Sequence, residues 1–300
     1  MDRNKKDYLR KPPWIRSKMP GKNWRDMNHE LQKRNLHTVC EEANCPNRGE
    51  CWELKTATIM ILGDVCTRGC RFCNVKTGNP KGVIDKNEIN NAVDMTSIMG
   101  LKYVVITSVD RDDLPDFGAS HFSDVVKAVC SNHPDIKVEV LIPDFGGVEK
   151  HMHTLAKSSP FVIAHNIETV EGLTPQVRDK RAGYKKSMEV LNFYKTNYPH
   201  IATKSSIMVG IGETWDEIVR TLSDLRENKV NIVTLGQYLR PSRKSLPVEK
   251  YYTPEEFEKL KDIAIGMGFD FVASAPMVRS SYRASDYMVF LKKSELEKKD

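Results

Sequence analysis

Two adjoining stretches, Thr58-Ile59-Met60-Ile61-Leu62 and Cys66-Thr67-Arg68-Gly69-Cys70-Arg71-Phe72-Cys73, decide how the rest of the chain reads. The first is a short run of apolar and β-branched residues, the composition of a buried strand. The second is polar, carries a turn glycine and follows that strand directly. Further β-rich runs recur at Tyr103–Thr107, Lys137–Ile142, Phe161–Ile167, Lys204–Val209 and Asn231–Leu235. Segments with helical spacing lie between them, among them Asn87–Met99, Ser120–Ser131, Tyr184–Thr196, Thr214–Asn228 and Pro254–Met267. Thr214 with Glu217 three residues on is the spacing of a capping box, which marks the start of one helix. Six strand–helix alternations predict an α/β fold, a parallel sheet curved into a partial (β/α)6 barrel, short of the eight units of a closed one. Loops at the carboxyl ends of such strands carry the reactive groups, so Cys66–Cys73 is expected at an active site.

The expected organisation is an N-terminal extension over residues 1–56, the partial barrel over 57–272 and a C-terminal extension over 273–300. Residues 1–35 are polar and basic, with Pro12-Pro13 and Pro20-Gly21 as breakers, and read as an extended arm. With 300 residues and 40% hydrophobic content, the chain supports one large core or two modest ones. No apolar run approaches the roughly 20 residues of a membrane-spanning helix. Met1-Asp2-Arg3-Asn4-Lys5-Lys6-Asp7 has neither the apolar stretch of a secretory signal nor the acid-free character of a transit peptide, so a cytoplasmic location is expected. Forty-six Lys and Arg against 40 Asp and Glu give +6, either an ordinary solvated surface or a preference for an acidic partner.

Six of the seven cysteines, Cys40, Cys45, Cys51, Cys66, Cys70 and Cys73, fall in one window, while Cys130 stands alone in an apolar helical run as a small hydrophobe. Without a secretion signal, such clustering points to metal ligands rather than disulfides. Cys66-x3-Cys70-x2-Cys73 supplies three thiolates, enough for three irons of a 4Fe–4S cubane, where four would close it. The open iron suits a small chelate, such as the amino and carboxylate groups of S-adenosylmethionine. Zinc is the main alternative, but it favours paired Cys-x2-Cys knuckles or histidines at helical spacing. Gly69 and Phe72 read equally well as a turn glycine and a packing ring. Cys40-x4-Cys45-x5-Cys51 implies a second cluster, again one cysteine short, with an oxygen ligand as the natural substitute.

Cys66-x3-Cys70-x2-Cys73 after a first strand resembles the signature of the radical S-adenosylmethionine superfamily, whose core is a partial or full (β/α) barrel. The Cys40–Cys51 stretch is similar to the N-terminal motif of the lipoyl synthase family. So are Asp110-Arg111-Asp112-Asp113-Leu114-Pro115-Asp116, Leu141-Ile142-Pro143-Asp144-Phe145, His165-Asn166-Ile167-Glu168-Thr169 and Arg279-Ser280-Ser281-Tyr282. The resemblance spans roughly residues 10–290 by motif placement. It implies two 4Fe–4S clusters, the second with Ser281 as its oxygen ligand, Ser280 being the alternative, and with Arg279 offsetting its charge. It implies insertion of two sulfurs at carbons six and eight of an octanoyl chain carried on a lysine. The first cluster would generate one 5′-deoxyadenosyl radical per sulfur, and the second would be the sulfur donor. Expected partners are an octanoylated lipoyl carrier domain, an electron donor such as ferredoxin or flavodoxin and an iron–sulfur assembly carrier, with no nucleic acid and no membrane.

Asn166 and Glu168 share one face by the two-residue strand period and are expected to bind S-adenosylmethionine. Lys204, Gln237–Arg240, Arg178 and Arg181 are weaker candidates. Phe117 stands before Gly118 where the family often has glycine, and Ala164 stands before His165 where asparagine is common. Competing readings are a sulfur-inserting enzyme acting on RNA, a zinc protein that binds nucleic acid and a two-cluster electron carrier; no recognisable RNA-binding module favours the first.

Overall fold

Short apolar and β-branched runs, buried along nearly their whole length, build one sheet whose order follows the chain. In the computed structural model, residues 9–16, 25, 29–30, 33, 37–38, 45, 47, 50–51, 58–282 and 284–297 are described. β1 (His37–Thr38) pairs antiparallel with β2 (Thr58–Ile61). β3 (Val65–Cys66) and β4 (Lys76–Thr77) form a separate parallel ribbon. From β2 the main sheet continues, all parallel, through β5 (Tyr103–Ser108), β6 (Lys137–Leu141), β7 (Val162–Ala164), β8 (Ala202–Val209), β9 (Ile232–Gln237) and β10 (Phe271–Ser274). Among the described residues nothing pairs β10 back to β1 or β2, so the barrel is open on one side.

Helices α1 (Glu88–Ile98), α2 (Ala119–Asn132), α3 (Glu149–Ala156), α4 (Thr174–Val177), α5 (Tyr184–Asn197), α6 (Trp215–Glu227) and α7 (Pro254–Gly266) return the chain between strands. Both α6 and α7 begin in full capping boxes, Thr214 with Glu217 and Thr253 with Glu256. Outward strand residues such as Val104, Val138, Val140 and Ile163 meet the helices in one apolar cluster, and Ile207, Val209, Val233 and Leu235 do so in another. Inward residues are partly polar. Lys204 Nζ lies 2.7 Å from Glu139, and the Tyr103 hydroxyl donates to the same carboxylate at 2.7 Å, so the charges buried in the barrel are paired. Lys204 is therefore taken by Glu139.

The six expected strands are all present, and β10 adds a seventh parallel strand that the sequence reading leaves out. Four residues carry too little periodicity to stand apart from a helix end. β7 stops at Ala164, earlier than expected, because the following residues leave the ladder to enter the site. Phe117, in the place where glycine is frequent, adopts φ 55. Its ring lies over Gly146, where a Cβ would come within 2.7 Å of it. Ring packing thus offsets the left-handed backbone, which costs a β-carbon residue roughly 1–2 kcal/mol.

The C-terminal segment crosses the open side. Gln237 N–H donates to Pro276 O at 3.3 Å, and the Val278 carbonyl rests on Gly236, where a Cβ would meet it at 2.0 Å. Farther on, Thr58 Oγ1 donates to Ser281 Oγ at 2.9 Å, so the segment spans from β9 to β2. Ala284 then joins Tyr103 and Val105, and Tyr287 at the head of α8 (Asp286–Glu297) joins Val162 and Ile232. Only glycine at 236 lets the two backbones approach this closely. Gly236→Ala is expected to cost about 1–3 kcal/mol as an overpacked contact, read as a lower denaturation midpoint, and to speed proteolytic cleavage between residues 275 and 285; unchanged protection there would refute the docking role.

Candidate active site at the carboxyl ends of the strands

The cysteine loop is clamped from three sides. Thr67 N–H donates to Asp110 O at 3.0 Å, Arg71 N–H to Val177 O at 2.9 Å, and Leu246 N–H to Arg71 O at 3.0 Å. Gly69 N–H donates to the Asp179 carboxylate at 2.8 Å. Within this frame each sulfur accepts one backbone N–H. Arg68 N donates to Cys66 Sγ at 3.4 Å, Asp179 N to Cys70 Sγ at 3.3 Å, and Val75 N to Cys73 Sγ at 3.4 Å. Amide donors aimed at three sulfurs stabilise negative charge on sulfur, which is what a metal-bound thiolate carries. Burial, together with the Asp110 charge, pushes the Cys66 thiol up to about 12. Burial also pushes the Cys70 thiol up to about 12. Metal loading accordingly releases protons. Among the described residues no three His, Cys, Asp or Glu side chains form a group that would hold one metal ion. A cubane asks for one thiolate on each of three irons instead.

Arg68, between the first two cysteines, is the anchor of the loop. Its guanidinium is 5% exposed and reaches Asp144 at 2.7 Å, Asp112 at 2.9 Å and Asp110 at 3.3 Å. Asp110 and Asp112 follow β5, and Asp144 follows β6, so one side chain ties the loop to two neighbouring strand ends. Burial works against the Asp144 carboxylate, but the Arg68 hydrogen bonds and charge hold it down at about 2. Burial raises Asp110, 3.8 Å from Cys66 Sγ, to about 6 despite Arg68. Arg181, an exposed residue, closes the outside of the network on Asp179 at 2.8 Å and Asp112 at 3.3 Å.

A cavity of about 540 Å³ opens above these strand ends, and Cys45, Cys66, Cys70, Cys73, Asn166, Glu168 and Ser281 all line it. Asn166 Nδ2 donates to Glu168 Oε1 at 3.1 Å, while Asn166 Oδ1 is buried without a partner. Glu168 has φ 68, and its N–H and carbonyl still bridge to β8 through Ser206 O and Met208 N. A left-handed glutamate beside an orphaned amide oxygen marks a position strained for function. Burial raises the Glu168 carboxyl, with Arg178 opposing.

Arg178 is buried on the cavity wall, and its guanidinium donates to Ser187 Oγ at 2.9 Å. Ser187 faces His165 Nε2 at 2.9 Å, and His165 Nδ1 faces Ile142 O at 2.9 Å. The carbonyl requires a proton on Nδ1, which leaves Nε2 to accept from the serine hydroxyl. His165 is therefore neutral, and burial, with Arg178 nearby, lowers its pKa to about 4.

Of the second cysteine set, Cys40 lies outside the described residues. Cys45 lines the cavity, and Cys51 is half-buried, its N–H donating to Asn47 O at 3.0 Å. Asn47 Nδ2 in turn donates to Met277 O at 2.5 Å, which joins the N-terminal motif to the C-terminal segment. Arg279, half-buried on the C-terminal segment, donates to Val278 O at 2.6 Å and forms an ion pair to no carboxylate among the described residues; burial lowers its pKa, with Cys45 opposing. A half-buried cation on the same cavity wall as Cys45 and the Ser281 hydroxyl suits a negatively charged group. Ser280 lines the same cavity, but Ser281 is the serine held by Thr58. Cys130 is half-buried on α2 against the core.

Cys66, Cys70, Cys73, Asn166, Glu168 and Ser281, each named from the sequence in a separate role, line one cavity in the structure, whereas sequence reasoning missed Arg68, Asp112, Asp144, Thr58 and Asn47. A charged residue inside a cysteine loop beside the acid-rich run 110–116 was the available signal for the first three. Nothing local marks Thr58 or Asn47, whose partners lie more than 200 residues away.

An open parallel barrel with three cysteines on the loop after its first long strand defines a radical S-adenosylmethionine enzyme, and residues 60–225 match the model of the radical SAM superfamily. The fold is that of methylornithine synthase, with a TM-score of 0.54 at 13% identity over 93% of this chain and 89% of that one. Residues 1–45 match the model described as the N-terminal domain of lipoyl synthase. Lipoyl synthase from Marinobacter nauticus is 51% identical over 280 residues, covering 93% of this chain and 80% of the relative. The mitochondrial lipoyl synthase of Schizosaccharomyces pombe is 50% identical, covering 94% and 78%. The chain belongs to the lipoyl synthase family. It is a sulfurtransferase of the radical type that uses S-adenosylmethionine and two iron–sulfur clusters.

Two outcomes test the site's electrostatics. Arg68→Met leaves three carboxylates without their cation and is expected to cost about 3–5 kcal/mol in denaturant unfolding, with Arg68→Lys intermediate because it cannot bond two carboxylates in forked geometry. His165 gives a pH signature. Below about 6.5 the unfolded chain takes up a proton that the folded chain refuses until about 4, so stability falls as pH falls through that window, by about 3 kcal/mol. A His165→Gln variant should show a flatter stability profile between pH 4 and 6.5 than the parent protein; equal slopes would refute the neutral, buried imidazole.

Proposed function

We propose that Cys66, Cys70 and Cys73 hold the cluster that meets S-adenosylmethionine, and that Cys40, Cys45, Cys51 and Ser281 hold the second. The reaction of the family is insertion of two sulfur atoms at carbons six and eight of a protein-bound octanoyl-lysine. The observation that carries the assignment is the single cavity onto which Cys45 and Ser281 open together with the three loop cysteines. Sulfur can then reach a carbon radical without the substrate leaving the site.

When bound, the first cluster supplies the electron that reductively cleaves S-adenosylmethionine, and the second supplies sulfur. The protein's own residues prepare the place. Amide N–H groups from Arg68, Asp179 and Val75 settle the charge on the three sulfurs. Arg68 holds the loop rigid against the strand ends. Asn166 Oδ1, unpaired in the cavity, is an acceptor for the ammonium or ribose hydroxyls of S-adenosylmethionine, and Glu168 is the second polar group on that wall. Arg178 brings positive charge for a carboxylate. Thr58 fixes the Ser281 hydroxyl, a harder ligand than thiolate. Arg279 offsets anionic charge beside Cys45. Met60, Leu141 and Ile142 give the cavity an apolar wall suited to an alkyl chain.

The partners in this reading are an octanoylated lipoyl carrier domain, a low-potential electron donor and an iron–sulfur assembly carrier. Among the described residues no helix is long and apolar enough to cross a membrane. A cytoplasmic location remains part of the proposal, since one relative carries the mitochondrial label.

The test combines anaerobic iron and sulfide analysis with turnover on an octanoylated lipoyl domain. Cys66/Cys70/Cys73→Ala and Cys40/Cys45/Cys51→Ala are each expected to halve the iron and sulfide content and abolish lipoyl formation. Only the first should also abolish cleavage of S-adenosylmethionine. Lipoyl formation surviving in either triple variant would overturn the assignment.

A further inference from the structure

Arg178 is a cation that the protein buries without giving it a counterion. It is 8% exposed, lines the cavity and forms an ion pair with no carboxylate among the described residues. Burying a lone guanidinium is costly, so a position that keeps one has a use for its charge. Both of its protein hydrogen bonds leave from Nη1, to Ser187 Oγ at 2.9 Å and to Ile167 O at 3.3 Å. Nε and Nη2 therefore bond to nothing among the described residues, on a side chain that lines the cavity. The next residue, Asp179, gives its N–H to Cys70 Sγ at 3.3 Å. The chain thus carries Arg178 past the cysteine loop, and its charge opposes the effect of burial at Cys70 and Glu168 alike.

What aims that guanidinium is a chain of buried groups with a fixed direction. Ile142 O takes the Nδ1 proton of His165, which makes Nε2 an acceptor. Nε2 takes the hydroxyl proton of Ser187, on α5, at 2.9 Å. The serine oxygen then has only lone pairs to offer, and Arg178 Nη1 donates to them. His165 and Ser187 are 3% and 1% exposed, so water does not stand in for either partner. The bond to Ile167 O, between Asn166 and Glu168, gives the guanidinium a second fixed point. Two fixed points on one nitrogen of a planar group set where its other nitrogens turn. With both ring nitrogens and the hydroxyl engaged, His165 and Ser187 act through Arg178 and not on a ligand. Resting on the assignment of Arg178 to a carboxylate, we propose that Ser187, oriented by His165, is a positioning residue that aims Nε and Nη2 of Arg178 at the carboxylate of S-adenosylmethionine. The adenosine portion carries no anion and gains nothing from it.

The test measures equilibrium binding to the cluster-loaded full chain without reductant, so that nothing turns over, with parent and variants compared at equal iron content. The ligands are S-adenosylmethionine and 5′-methylthioadenosine, which lacks the amino-acid carboxylate. Ser187→Ala is expected to weaken S-adenosylmethionine binding about tenfold, the worth of a hydrogen bond to a charged group. Binding of 5′-methylthioadenosine should stay within about twofold of the parent. Ser187→Thr keeps the hydroxyl and should bind S-adenosylmethionine nearly as the parent does. With reductant supplied, KM for S-adenosylmethionine should rise in Ser187→Ala while kcat holds. Equal weakening of both ligands would make Ser187 a residue that only holds the fold and would overturn the proposal. So would unchanged S-adenosylmethionine binding in Ser187→Ala, or a loss in Ser187→Thr as large as in Ser187→Ala. Arg178→Gln separates this from the assignment beneath it. If that variant binds S-adenosylmethionine as the parent does, the role of Arg178 falls and that of Ser187 with it. If it binds weakly while Ser187→Ala binds normally, only the role of Ser187 falls.

Discussion

The buried contact of Arg68 with Asp110, Asp112 and Asp144 is the constraint on which the site depends. A loop with three cysteines has little apolar surface of its own and would otherwise sample many conformations, each a different sulfur arrangement. One guanidinium, forked across carboxylates from two strand ends, removes that freedom. Desolvating this many charges is expensive, and the group is tolerable only because nearly every donor of Arg68 finds an oxygen. The outer arginine, Arg181, adds a second bracket at the surface, where it is screened and contributes less. The rigidity of the sulfur frame therefore comes from electrostatics on strand ends, and the position of those ends comes from the apolar packing of the helices behind them.

The fold was legible in the sequence to the extent that it rests on local periodicity. Six parallel strands, the capping box at Thr214 and the placing of the cysteine loop follow from patterns a few residues long. β10 was not legible, because Phe271–Ser274 has only four residues and lies a short turn after a helix. The site was legible where residue type alone implies chemistry, as with Cys66, Cys70 and Cys73. Asn166 and Glu168 were found by strand period, yet the structure brings them into the cavity differently. The strand ends at Ala164, and Glu168 turns left-handed to stay in contact with β8. Ser281 came from resemblance, and the physical reason for its place is Thr58, a contact across 223 residues that no local pattern announces.

The departures from the family pattern also have local explanations. Phe117 accepts a backbone conformation suited to glycine because Gly146 leaves its ring a seat. Ala164 is a fully buried strand residue opposite Lys204 in the ladder, in a place where the neighbouring strand already supplies the backbone hydrogen bonds. Both changes fall behind the cavity wall.

An open barrel would expose radical chemistry to solvent along its missing seam, so the seam must be covered. The C-terminal segment does this with its backbone pressed on Gly236, its serine on Thr58 and its aromatic Tyr287 among Phe161, Phe271 and Phe290. The N-terminal motif joins the same cover through Asn47 and Met277. Cys45 and Ser281 are therefore brought to the cavity by the two chain segments that lie outside the barrel proper. The cover over the open side and the two residues it brings to the cavity are one piece of structure.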